Sequence, residues 1–177
     1  MMSNKLLLIA DTSVWSKKAY QYLSSFSQEL TAVFWERHLP KSFNINEWRG
    51  DWIISFKSDL ILSKHFLNQA NRGAINFHPA PPYYRGLGGY RYALLNGDEH
   101  FGCTCHHMDE KIDHGKIINV NYFPIAKKET EKSLCEKTGA YALTQLYTVF
   151  SLITNNRSLP ESSDQWSSKL YTKDMIE

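Results

Sequence analysis

The stretch Ala74-Ile-Asn-Phe-His-Pro-Ala-Pro-Pro-Tyr-Tyr-Arg-Gly86 decides how the chain is read. It opens as an apolar, strand-like run, and side chains two apart on a strand share a face. Asn76 and His78 therefore leave the strand end side by side, an amide beside a titratable imidazole. Pro79, Pro81 and Pro82 cannot continue a paired strand. The chain must turn away into a loop, and the strand end becomes the floor of a site.

Upstream, residues 5–10 read as a buried strand, 15–25 as a helix, and 30–36 and 52–56 as two further strands. Residues 64–69 make a short helix, and 74–77 a fourth strand. This alternation predicts an α/β fold with a central, mostly parallel sheet flanked by helices. In such sheets ligands bind outside the carboxyl ends of the strands, where Asn76 and His78 stand. Downstream, 88–95 looks helical and is closed by Asn96-Gly97. Residues 102–108 and 116–123 read as strands joined by the polar loop 109–115. A long helix is expected over 128–153, with Leu134, Ala140, Leu143, Leu146, Val149 and Phe150 on its apolar stripe. The polar tail 155–168 is expected to cross the surface, pinned by Trp166.

At 177 residues and 42% apolar content the chain is expected to form one domain over 1–177, with a C-terminal helix and tail and no second domain. A net charge of +2 without any basic run speaks against nucleic acid as a partner. Three cysteines, an odd number with no disulfide framework, fit a reducing cytosol, so a cytoplasmic protein is expected. The apolar run Leu6–Ala10 is too short for a signal segment, and no membrane insertion is expected.

Asp113, in Ile112-Asp-His-Gly115, must reach His78 through the fold rather than locally. Asn, His and Asp together suit attack of an amine on a carbonyl carbon. Asn76 and a protonated His78 can donate to the oxyanion. His78 or Asp113, directly or through water, can move the proton that the amine loses. Cys103-Thr-Cys105-His106-His107 invites a metal reading, but its spacing is poor. Strand-core cysteines are the expectation there, and no metal is expected.

At this point the residues resemble the formyltransferases that use 10-formyltetrahydrofolate. The match rests on Asn76-Phe-His78-Pro79, on Pro81-Pro-Tyr-Tyr-Arg-Gly86 and on Asp113-His-Gly115, with support from 93–97 and 102–106. The loop 78–86 looks most like the sugar N-formyltransferases of O-antigen biosynthesis. The resemblance implies a Rossmann-like formyltransferase fold and a catalytic set of Asn76, His78 and Asp113. It implies 10-formyltetrahydrofolate as donor, held by Phe56, Met108, Asp109, Glu110 and Ile112. It implies a nucleotide-linked amino sugar, a 4-amino-4,6-dideoxyhexose, at Pro81, Tyr83, Tyr84, Arg85 and Gly86. Arg85 would pair with a pyrophosphate oxygen, a tyrosine would stack on the base, and a homodimer is the family-based expectation. The competing readings are a glycinamide ribonucleotide formyltransferase and a non-catalytic folate- or nucleotide-sugar-binding module. The first is weakened because Asp11-Thr-Ser-Val-Trp15 lacks the glycine of a phosphate loop.

Overall fold

Leu6, Leu7, Leu8, Ile9 and Ala10 have no exposed surface. A strand covered on both faces needs such an unbroken apolar run, and β1 (Lys5–Ala10) lies inside the sheet. The computed structural model describes residues 4–175. After β1 come α1 (Val14–Ser24), β2 (Glu29–Phe34), β3 (Gly50–Phe56), α2 (Lys64–Leu67) and β4 (Ala70–His78). Then follow β5 (Arg85–Gly86), α3 (Gly89–Asn96), β6 (His100–His107), β7 (Ile117–Pro124), α4 (Glu131–Thr154) and β8 (Leu170–Tyr171).

Six strands form one sheet in the order β2-β1-β3-β4-β6-β7. The pairings among β2, β1, β3 and β4 are parallel. β6 and β7 continue the sheet antiparallel. From β1 the chain crosses first to one side and then to the other, which makes the carboxyl ends of β1 and β3 a switch point for ligands. One face of the sheet packs Leu6, Leu8, Ile54, Phe56, Phe77, Cys103 and Cys105 against α1 and α4. The other packs Leu7, Ile9, Ile53 and Ala74 against Trp48, Phe66 and Leu67. No helix among the described residues is long and apolar enough to cross a membrane.

The expected strands and helices all occur, with shifted ends. β4 starts at Ala70 rather than 74, because Ala70 and Gly73 extend the pairing to Gly50 and Trp52 of β3, with the exposed Asn71 and Arg72 in the irregularity between them. α4 starts at Glu131 because Thr130 caps it: its side chain accepts from the Ser133 amide, and Ser133 Oγ accepts from the Thr130 amide. Ala142, not Ala140, completes the buried stripe. The two-residue strands β5 and β8 carry no periodic signal; they pair with each other in parallel.

α1 and α4 approach closely at Gly139, where an added Cβ would lie 2.3 Å from Trp15 Cδ1. The indole is held by its Nε1 donating to Glu136 at 2.9 Å. Helix propensity favours Ala over Gly by about 1 kcal/mol, whereas overpacking costs about 1–3 kcal/mol. With the ring held, the clash wins. Gly139→Ala is expected to lower the urea midpoint at unchanged slope.

Candidate active site

Register brings the polar side chains of three strands to one face. Asn76 stands opposite Ser55 of β3 and opposite His106 of β6, and His78 stands opposite Thr104. Side chains of directly opposed residues are neighbours. The alternate residues Phe56, Phe77 and Cys105 point into the core on the far side. The same period of two thus builds the core and the site.

His78 is buried, and both its ring nitrogens are engaged. Nε2 lies 2.9 Å from the Tyr84 carbonyl oxygen. A carbonyl only accepts, so Nε2 carries a proton. Nδ1 lies 3.3 Å from Asp113 Oδ2, and that contact is attractive only if Nδ1 is protonated as well. The arrangement is that of an imidazolium paired with a carboxylate. His106 faces the other oxygen, with Nε2 3.5 Å from Asp113 Oδ1. The Asn76 amide nitrogen is 3.1 Å from the same His106 Nε2.

The loop carrying Asp113 folds over this face and is held from several sides. Asp113 has φ 43°, a left-handed conformation that Asp tolerates better than most residues. The Gly86 amide donates to its Oδ2 at 2.8 Å. The Arg85 guanidinium donates to the carbonyls of Asp113 (2.7 Å), Ile112 (2.9 Å) and Ser167 (3.0 Å). Trp166 Nε1 donates to the Gly115 carbonyl at 2.7 Å, and its ring meets His106 edge-on at 4.9 Å and His78 at 6.1 Å. The tail therefore does more than cross the surface: it braces the loop. β8 then lies against β5 so tightly that a Cβ on Gly86, at φ 85°, would sit 2.2 Å from the Tyr171 carbonyl oxygen. Only glycine fits there.

Burial alone would raise the Asp113 carboxyl, but the His78 charge, His106 and the Gly86 amide outweigh it. They bring it from 3.8 down to about 2. A carboxylate whose folded value is depressed stabilises the fold above its unfolded value. That contribution disappears as the pH falls through the folded value. Asp113 is thus expected to lend on the order of 2 kcal/mol near neutrality. The contribution should vanish between about pH 4 and pH 2. Unfolding midpoints of the wild type and Asp113→Asn, followed down this range, should converge.

A cavity of about 350 Å³ opens above this face. Asn76, His78, His106 and Asp113 line it, with Leu60, Ile61, Leu62 and Met108 as apolar wall. Of the residues expected to hold the donor, Met108, Asp109, Glu110 and Ile112 line the cavity. Phe56 does not: its ring is in the core against Phe77, and its neighbours Ser55 and Lys57 face the cavity instead. Of the residues expected to meet the acceptor, only Gly86 lines it. Pro81 is buried in the turn. Tyr84 is buried, with its hydroxyl donating to Asp98. Tyr83 faces outward, with its hydroxyl on the His100 carbonyl. Arg85 places three N–H donors on backbone carbonyls and does not line this cavity.

Several groups at the site were not singled out from the sequence. His106 is one, named above only in the cysteine–histidine cluster; the β4–β6 register reveals Asn76 beside it. Lys57 is another. It has φ 52°, its buried ammonium is 3.1 Å from Asp11 Oδ2, and it lines the cavity at the switch point. Asp59 also lines the cavity, and burial pushes its carboxyl up, opposed by Arg37. As expected, Cys103 and Cys105 are core residues, and burial pushes the Cys103 thiol up to about 12. Among the described residues no group of three or more His, Cys, Asp or Glu side chains could hold a metal ion.

Residues 12–149 match the family model described as formyl transferase. The chain belongs to the formyl transferase family. It is 33% identical over 147 residues to the bifunctional polymyxin resistance protein ArnA of Wigglesworthia glossinidia brevipalpis, which covers 76% of this chain and 22% of that protein. It is 32% identical over 97 residues to GDP-perosamine N-formyltransferase of Brucella melitensis, covering 54% of this chain and 38% of the relative. This formyl transferase chain therefore spans well under half the length of these curated relatives. Its fold matches the N-formyltransferase from Helicobacter canadensis, solved in complex with folinic acid and dTDP-3-aminofucose. The TM-score is 0.78 at 18% identity, covering 97% of this chain and 72% of that one. The sheet and its flanking helices are thus those of the formyltransferase fold.

Proposed function

We propose that this chain transfers a formyl group from 10-formyltetrahydrofolate to the primary amine of a nucleotide-linked amino sugar. The observation that carries the reading is Asp113. It is a buried carboxylate held ionised between two histidines, on the wall of the cavity that also exposes Asn76. In the transfer, the amine nitrogen bonds to the formyl carbon and the bond from that carbon to the donor nitrogen breaks. One proton passes from the acceptor amine to the departing nitrogen. Asp113 takes up that proton, directly or through a water. Asn76 donates to the formyl oxygen as it gains charge, and the positive His78 opposes that charge from nearby.

The donor supplies an activated one-carbon unit on a flat heteroaromatic body. Leu60, Ile61, Leu62 and Met108, with the backbone of 108–112, offer the apolar wall and hydrogen-bonding edge that such a ring needs. Arg37 and Lys111 at the rim offer cations to a diphosphate. The acceptor reading is supported by the Brucella relative's name and by the aminofucose nucleotide in the Helicobacter structure. Within that class we favour a 4-amino-4,6-dideoxyhexose. A panel of nucleotide-linked 3-amino and 4-amino sugars, with glycinamide ribonucleotide alongside, tests the choice by mass. Gain of one formyl group on a 4-amino sugar is expected; gain on glycinamide ribonucleotide alone would overturn it.

A further inference from the structure

Asp113 combines a left-handed backbone with a buried charge. Its φ is 43°, and its carboxylate is set between His78 and His106, with side-chain exposures of 8%, 6% and 3% in turn. A residue other than glycine keeps such a backbone only where its surroundings over-determine it. Arg85 provides one hold, on the carbonyls of Ile112 and Asp113. Beyond Asp113, His114 is exposed and pairs with Asp109 of the same loop. The next hold from outside the loop is at Gly115. A Cβ there would lie 1.8 Å from the His107 carbonyl oxygen, so the loop is pressed onto the end of β6. The Gly115 carbonyl in turn accepts from Trp166 Nε1 at 2.7 Å.

Trp166 reaches the same set from a second direction. Its ring lies 4.9 Å from that of His106 and 6.1 Å from that of His78. The two imidazoles that flank the carboxylate thus share one indole as backing. Asn76, His78, His106 and Asp113 line the cavity, and Trp166 does not. The indole therefore stands behind the reacting groups, out of reach of a ligand in the cavity. There it keeps bulk water from the histidine–carboxylate contacts, which are stronger where water is excluded. The segment that carries Trp166 is held independently of the indole. The Ser162 amide donates to the Ile117 carbonyl at 2.9 Å, the Ser167 amide to the Pro82 carbonyl at 3.1 Å, and the Leu87 amide to the Tyr171 carbonyl at 3.0 Å. These backbone bonds lie on both sides of Trp166, so replacing its side chain leaves the segment in place.

We propose that Trp166 is a positioning residue for the transfer step: its Nε1–H fixes the loop beyond Asp113, and its ring backs His106 and His78, so that both carboxylate oxygens stay on their histidines. Without the indole, the turn at 113–115 relaxes and water enters behind the histidines. The carboxylate then leaves the place from which it meets the attacking amine, and a small misplacement of a reacting group is costly. The part in turnover rests on the formyl-transfer reading; the placement of Asp113 does not.

Two measurements on Trp166→Leu test it. The first is amide hydrogen exchange at neutral pH. The Gly86 amide donates to Asp113 Oδ2 and reports where the carboxylate is, whereas the Leu87 amide donates to Tyr171 and reports the pairing of β5 with β8. Relative to the core amide of Ile54, Gly86 is expected to exchange about tenfold faster in the variant, with Leu87 unchanged. An unchanged Gly86 overturns the proposal whether or not the chain transfers formyl groups. Equal acceleration of Gly86 and Leu87 overturns it too, since Trp166 would then only pin the tail. The second is the transfer assay. A fall in kcat of about 10²-fold is expected, the scale of a misplaced reacting group, with both KM values nearly unchanged. A kcat equal to the wild type's, or a change confined to KM, contradicts the role in turnover. Absence of transfer by the wild type would fail the formyl-transfer reading, and the exchange result would still decide the placement. If Trp166→Leu does not fold, Trp166→Phe, which keeps a ring but has no N–H donor, is read with the same signs.

Discussion

His78→Ala is expected to lose about 10²–10⁴-fold in turnover, the range for a positioned proton-transfer or charge-stabilising group. It is also expected to lose stability. His78 and Asp113 are both nearly inaccessible, with side-chain exposures of 6% and 8%, and their contact at 3.3 Å is an ion pair away from water. Removing one partner of a buried pair costs about 3–5 kcal/mol, because the other charge stays behind. The double variant His78→Ala/Asp113→Asn removes both charges. It should regain part of the stability and none of the turnover. Stability and activity would then separate, with urea midpoints reading the first and formyl transfer the second. A double variant that regained activity with stability would reduce the pair to a structural one.

Asp113→Asn alone is the second large effect. The amide keeps the size of the side chain and an acceptor for the Gly86 amide, so the bracing by Arg85 and Trp166 should persist. What goes is the negative charge that receives the proton. A fall of about 10²–10⁴-fold in kcat is expected. The KM for the donor should hold, since Met108 and the 108–112 backbone that line its side of the cavity are untouched. A fall confined to KM would mean that Asp113 binds rather than reacts.

The sheet was legible because its strands are short apolar runs and its helices are amphipathic. The pairing of Asn76 with His78 was legible because a period of two needs no tertiary information. Asp113 was placed by resemblance, and its local peptide, an Asp before His-Gly, gives no hint of the His78 contact. The acceptor-side assignments fared differently. Tyr83, Tyr84 and Arg85 are a polar, aromatic loop in sequence, but burial and hydrogen bonding turn Tyr84 and Arg85 toward the protein, while Tyr83 stays exposed. Tyr84 joins the cluster of Phe101 and Tyr171, and Arg85 ties three carbonyls together. The sequence cannot show this, because the partners, Ser167 and Tyr171, lie some eighty residues further along the chain. A separation of 51 residues from Gly115 likewise hid the brace of Trp166 over the site. His106 was hidden by register: which strand pairs with β4, and in what alignment, decides whether it meets Asn76.

The most direct test is amine-dependent release of tetrahydrofolate from 10-formyltetrahydrofolate. Wild-type protein, mixed with the donor and a nucleotide-linked 4-amino sugar, should release tetrahydrofolate in step with formyl gain on the sugar. Asp113→Asn, folded and binding the donor equally well, should release almost none. Equal release by the two proteins, or donor binding by the wild type without release for any amine offered, would contradict the assignment of this cavity as a formyl-transfer site.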